Sequence, residues 1–148
     1  MDLGLDFLIS SIAPKDVIIF VNPELTSSEP HMFICIGRMN HNFQFVIIST
    51  QEDKIKKRVA VQGQKSETII SIYPSENSPV NRNSFIDCNQ VKNYNKDQLI
   101  KMHNKDFRRI ENRVIQSVYE EIISGVCMSD LVEQELIDYL NGTNQNLG

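Results

Sequence analysis

Two clusters of small polar side chains are the residues best suited to chemistry in this chain: Ser49-Thr50-Gln51 and Asp87-Cys88-Asn89-Gln90. Each closes a β-prone run, Phe45-Val-Ile-Ile and Ser84-Phe-Ile. Hydroxyls, amides and a carboxylate at strand ends can hydrogen-bond a ligand, because connecting segments face solvent. The same residues suit a plainer task, capping strand ends and satisfying turn backbone groups. Asp87 and Asn89 could equally face the interior or order the neighbouring turn. His31 follows Pro30 and opens another apolar run, the usual place of a partly exposed edge residue.

Charge points the same way. Residues 1–31 carry a net −4, residues 32–114 a net +6, and residues 115–148 a net −6. A basic middle between acidic ends suits a polyanionic partner. The run Glu52-Asp-Lys-Ile-Lys-Lys-Arg58 concentrates this charge, as either a solvated loop or a nucleic-acid contact. Arg108, Arg109 and Arg113 form a second basic cluster just before an apparent helix. They read as a charged surface on a helix start, although cations there oppose the helix dipole, a local cost that mildly favours a purpose.

Metal and redox chemistry have little support. Cys35, Cys88 and Cys127 are widely spaced, and His31, His41 and His103 have no close-spaced partners. A structural zinc site and a disulfide framework are therefore not expected, and Cys35 and Cys88 read as buried apolar thiols. No cofactor is implied. The acidic first residues lack the pattern of a signal peptide, and no apolar run approaches the ~20 residues of a membrane span. The expectation is a cytoplasmic chain with no membrane partner.

The elements that would position these residues come as strands first and helices last. Residues 3–12 fit either a short strand or a helical turn. Val17–Val21, Met32–Ile36, Phe43–Ile48, Thr68–Tyr73 and Ser84–Asp87 read as strands, the last with room to run on to Val91. Asn40-His41-Asn42 predicts a tight turn between the second and third. Residues 52–66 read as a long loop with a short strand at Arg58–Val61. Asn95 can cap a short helix, Lys96–Met102. Val114, Ile115, Val118, Tyr119, Ile122 and Ile123 recur at helical spacing, ended by Gly125. Ser129 or Asp130 then caps a last helix closed by Gly142. The order is α+β within one domain: a barrel over residues 14–94, a helical part over 95–141 and a frayed tail over 142–148. Five or six short strands suit a small, partly open antiparallel barrel.

Three passages resemble the PemK/MazF-like toxins of bacterial toxin–antitoxin systems. They are Lys15-Asp-Val-Ile-Ile-Phe-Val-Asn-Pro23, the pair Ser49-Thr50, and Phe85-Ile-Asp-Cys-Asn-Gln-Val-Lys-Asn-Tyr-Asn-Lys-Asp-Gln-Leu99. The resemblance spans about residues 14–140 and implies an SH3-like barrel with C-terminal helices. It also implies a metal-independent endoribonuclease that cleaves single-stranded RNA by 2′-hydroxyl attack. His31 stands where the family usually carries an Arg and would transfer protons in its place. Thr50 and Arg58 complete the implied catalytic set. Ser49, Gln51, Lys56, Lys57, Asp87, Asn89 and Gln90 would hold the RNA, with Phe33, Phe43 or Tyr73 stacking on bases where exposed. The family's partners would be an antitoxin protein and a second copy of the chain. The rival readings are a non-catalytic barrel that binds protein or nucleic acid, and a toxin that acts on a protein target.

Overall fold

The apolar runs pair as strands, and their side chains alternate between two separate cores. The structure is a computed structural model and describes residues 3–23, 25, 29–103 and 106–146. Strands β1 (Val17–Phe20), β2 (His31–Met39) and β3 (Asn42–Ser49) form an antiparallel meander. Strands β4 (Ile69–Ile72), β5 (Ser84–Asp87), β6 (Lys92–Asn95) and β7 (Arg108–Arg109) complete the sheet. Its path is β4-β5-β3-β2-β1-β7, with β6 also pairing β3. The sheet is open: no pairing joins β4 to β7 among the described residues.

Phe33, Cys35, Phe43 and Phe45 face one side with Ile18, Phe20 and Tyr94. Ile34, Ile36, Val46 and Ile48 face the other, with Val17 and Ile86. A sheet buried on both faces needs near-continuous apolar strands, which explains why the alternation is hard to see in the sequence. Helices α1 (Leu3–Ser10) and α3 (Lys96–Met102) cover the aromatic side through Ile9 and Leu99. Helices α4 (Gln116–Met128) and α5 (Gln134–Asn146) cover the aliphatic side through Ile122, Val126, Leu136 and Leu140.

The β2–β3 hairpin turns on Asn40 and His41, both at positive φ (54° and 65°). This is the two-residue turn that matches strand twist. The register shifts between Cys35 and Gly37. Ile36 lies in that bulge, and its carbonyl accepts the Tyr119 hydroxyl at 2.7 Å, which ties α4 to β2. The expected cap of α3 is present: Asn95 and Gln98 bond reciprocally in a capping box.

Several expectations are corrected. Residues 3–10, open to either strand or helical turn in the sequence, are helical. Residues 52–61, expected as a loop with a short strand, form helix α2 (Glu52–Val61). Ile55 and Val59, one turn apart, pack on Phe85, while the charged residues face solvent and Lys56 pairs with Glu52. The strand from Ser84 stops at Asp87, and Lys92–Asn95 forms a strand of its own. Gly125 lies inside α4 instead of ending it. A Cβ there would sit 2.8 Å from the Cys88 sulfur, so glycine lets the helix approach the sheet. Helix α5 begins later than expected, because Ser129 makes a turn with the Leu131 N–H, and it runs through Gly142 to Asn146.

Candidate functional site

Sheet alternation puts His31, Ile47, Ser49 and Asp87 on the face that carries Phe33 and Phe85. Helix α2 follows Ser49 directly. Gln51, Lys54 and Arg58 are spaced three and four residues apart, so they line one side of that helix. The two sets meet in a groove of about 230 Å³ lined by His31, Ser49, Gln51, Lys54, Arg58, Asp87, Gln90 and Lys92. A larger groove of about 1270 Å³ shares His31, Ser49, Gln51 and Lys54. Thr50 lines this second groove, whose far wall is the connection from Pro74 to Arg82.

The His31 ring is oriented by its own chain. Its Nδ1 lies 3.0 Å from the Glu29 carbonyl. A carbonyl oxygen only accepts, so Nδ1 carries the proton and Nε2 of the neutral ring holds the lone pair. Ser49 Oγ accepts the Gln51 N–H at 3.1 Å, and its own O–H stays available to donate. The Gln51 side chain makes no cap bond to α2 and remains a free amide.

Arg58 is held by Asp87. Its Nε and Nη2 each lie 2.9 Å from Asp87 Oδ2. Asp87 Oδ1 accepts the Asn89 backbone N–H at 3.0 Å and the Asn89 side-chain amide at 2.8 Å. Asp87 is 3% exposed, so this carboxylate is buried with bonds to both oxygens. The Arg58 side chain is 45% exposed and lines the smaller groove. A charge-assisted anchor of this kind fixes the direction of a cation.

Seven of the ten sequence-predicted site residues thus line these adjoining grooves: His31, Ser49, Thr50, Gln51, Arg58, Asp87 and Gln90. Lys56 lies elsewhere on α2, paired with Glu52 at 3.2 Å, and Lys57 is exposed outside both grooves. Asn89 is buried and bonded to Thr68 and Asp87, as an internal brace. Phe33 and Phe43 are core residues and offer no face to a base, whereas Tyr73 is 64% exposed. Arg109 and Arg113 are engaged by the buried Asp16, at 3.6 and 2.8 Å.

Sequence reasoning missed Glu29, Arg82 and Lys92, which also line the grooves. Lys92 opens a strand that no local pattern announces, and Arg82 sits in a turn-rich connection. No protein-family model matches this chain. No curated protein matches it in sequence either. Among the described residues, no three His, Cys, Asp or Glu side chains gather as metal ligands. No helix among them is long and apolar enough to cross a membrane.

Proposed function

We propose that this chain is a toxin-type endoribonuclease of the PemK/MazF-like kind, acting on single-stranded RNA in the His31 groove. The observation that carries the reading is the His31 ring. Its Nδ1–H is committed to the Glu29 carbonyl, so Nε2 is free beside Ser49, Gln51 and Arg58. In the step proposed, Nε2 takes the proton of a ribose 2′-hydroxyl. The 2′-oxygen bonds to the adjacent phosphorus, and the P–O5′ bond breaks. The 5′-oxygen leaves with a proton taken from solvent water, and the His31 ring returns its proton to the hydroxide so formed, giving a 2′,3′-cyclic phosphate and a 5′-hydroxyl. Arg58, Lys54 and the Ser49 hydroxyl face the charge that develops on the phosphate. Thr50 and Gln51 bind the strand as it passes into the larger groove, and Gln90 lies beside Arg58. An SH3-like, partly open barrel is the fold counterpart of this reading. It is supported by β3, which changes partner from β6 at Asn42–Phe45 to β5 at Ile48–Ser49. A homodimer and an acidic antitoxin segment competing for the groove belong to the same proposal.

One observation favours a second reading, a non-catalytic nucleic-acid binder. Among the described residues His31 is the sole imidazole lining these grooves, and Arg58 is already matched by Asp87. Purified protein incubated with single-stranded RNA, followed by mapping of new ends, separates the two. Nuclease action is expected to give cyclic-phosphate ends, no cleavage of a 2′-deoxy strand, and a loss of at least ~10²-fold in rate for His31→Ala. Intact RNA that is nevertheless bound establishes the binder. Neither cleavage nor binding ends both readings.

A further inference from the structure

Strand β4 ends the sheet on one side, and its outer edge is bare among the described residues. The Thr68 carbonyl accepts the Cys88 N–H at 2.9 Å, in step with Ile69 opposite Asp87. Backbone direction alternates along an antiparallel strand, so Ile70 and Ile72 bond to β5. Ser71 and Tyr73 therefore turn their N–H and C=O groups outward, and no described residue pairs with them. Natural edge strands are commonly blunted by Lys, Pro or a bulge, yet Ile69-Ile-Ser-Ile72 carries none of these.

A hollow flanks this edge on each face of the sheet. The one on the α4 side, of about 530 Å³, is lined by Ile70, Ile115 and Val118. Ile115 is 50% exposed there, and Tyr73 beside it 64%. The loop from Pro74 to Pro79 also lines it, held by Asn112 Nδ2 on the Glu76 and Ser78 carbonyls, each at 3.2 Å. The hollow on the α2 side, of about 480 Å³, is lined by Val59, Gln64, Ser66, Ser71 and Phe85. Successive side chains of a strand added to β4 point to opposite faces, so they meet the two hollows in turn. In such an addition the main chain supplies affinity and the alternating pockets supply specificity.

The two linings define the occupant. Glu121 is the sole charged residue lining the α4-side hollow, and it has no ion pair among the described residues. On the α2 side Glu52 and Lys56 neutralise each other, which leaves Gln64, Ser66 and Ser71 as the polar lining. A second copy of the chain fits poorly. Its own Ile70 and Ile72 are packed under its own α4, Ile70 against Gly125, so edge-to-edge pairing leaves the α4-side hollow unfilled. We propose that β4 takes up an extended segment of a partner protein as an added strand. That segment is apolar with one Lys or Arg on its α4 face, and small and polar on its α2 face. Its backbone bonds Ser71 and Tyr73, and its cation meets Glu121. The proposal does not rest on the nuclease reading.

The test uses the full chain and the peptide acetyl-Thr-Leu-Thr-Val-Thr-Lys-Thr-amide, which puts Leu, Val and Lys on one face and Thr on the other. Hydrogen exchange read by NMR is expected to show fast Ser71 and Tyr73 amides in the free chain, slowed at least ~10-fold by the peptide, with Ile70 and Ile72 slow in both. A strand offers only alternate N–H groups to one neighbour. N-methylating one alternate set of peptide residues is therefore expected to abolish binding, and N-methylating the other set to leave it. Glu121→Lys, at an exposed position, is expected to weaken this peptide about threefold and to favour the peptide with Glu in place of Lys. Four results would each overturn the proposal: equal effects of the two methylated sets, an unchanged charge preference in Glu121→Lys, no slowing at millimolar peptide, or Ser71 and Tyr73 already slow in a free chain that sediments as a dimer, which would place a second copy at this edge.

Discussion

Two buried aspartates hold arginines in this molecule, and they do different work. Asp16 is 5% exposed, accepts the Ala13 N–H at 2.9 Å and Arg113 Nε at 2.8 Å, and forms an ion pair with Arg109 Nη1 at 3.6 Å. Its arginines have further partners in the chain: Arg113 donates to the Pro14 carbonyl and Arg109 to the Ser11 hydroxyl. Asp16 therefore knots the turn after α1, the short strand β7 and the segment before α4. Asp87 is as deeply buried and also accepts a backbone N–H, but Arg58 has Asp87 as its sole partner among the described residues. Arg58 lines the smaller groove. A carboxylate whose arginines also bind neighbouring chain segments makes a joint, whereas one whose arginine lines a groove makes a positioned cation.

Arg58→Ala is the sharpest way to test the difference. It leaves Asp87 buried without a cation, which is expected to cost ~3 kcal/mol in urea unfolding. RNA affinity is expected to fall as well, with the slope of log K against log salt shallower by about 0.7 for one lost phosphate contact. Arg113→Ala is expected to cost less, ~1–2 kcal/mol, because Arg109 and the Ala13 N–H remain on Asp16. RNA affinity and its salt slope are expected to stay at wild-type values. Equal loss of RNA binding in the two variants would erase the distinction between joint and positioned cation.

The smallest effect contrasts the two cores. Burial pushes the Cys35 thiol, on the aromatic side, from 9.0 to about 12. It also raises Cys88, on the aliphatic side, and brings the Tyr119 hydroxyl up to about 12. Raised acids stabilise the fold below their unfolded values, and that stability is lost as pH climbs toward the folded ones. Melting temperature is therefore expected to decline from about pH 9 upward, less steeply in Cys35→Ala. An unchanged slope would mean that Cys35 ionises without cost and is not sealed as its burial implies.

The meander, the Asn40-His41 turn, the Asn95 cap and the α4 stripe were legible because each is a local rule with a local cause. Helix α2 was harder to see. Its apolar signal is two residues, Ile55 and Val59, within a charged run, and the surface they cover belongs to β5. Gly125 and Gly142 looked like helix stops because glycine commonly is one. At Gly125 a close approach to Cys88 decides otherwise, which is a contact across 37 positions. The basic cluster before α4 looked functional until Asp16, about a hundred residues earlier, accounted for two of its three arginines.

The candidate site divides along the same line. That His31, Ser49 and Asp87 belong to strands or strand ends followed from the sequence, because β-branched runs and turn residues are short-range signals. Their common face was not legible, since it depends on strand register, and a one-residue slip would send Ser49 to the opposite side. The pairing of Arg58 with Asp87 required a helix where a loop was expected, so the tertiary structure alone decided it. Sequence determined which residues were available and most of the elements that carry them, through periodicity, caps and turns. Tertiary structure decided which charges are spent internally and which face a groove, because partners distant in the chain set both burial and pairing.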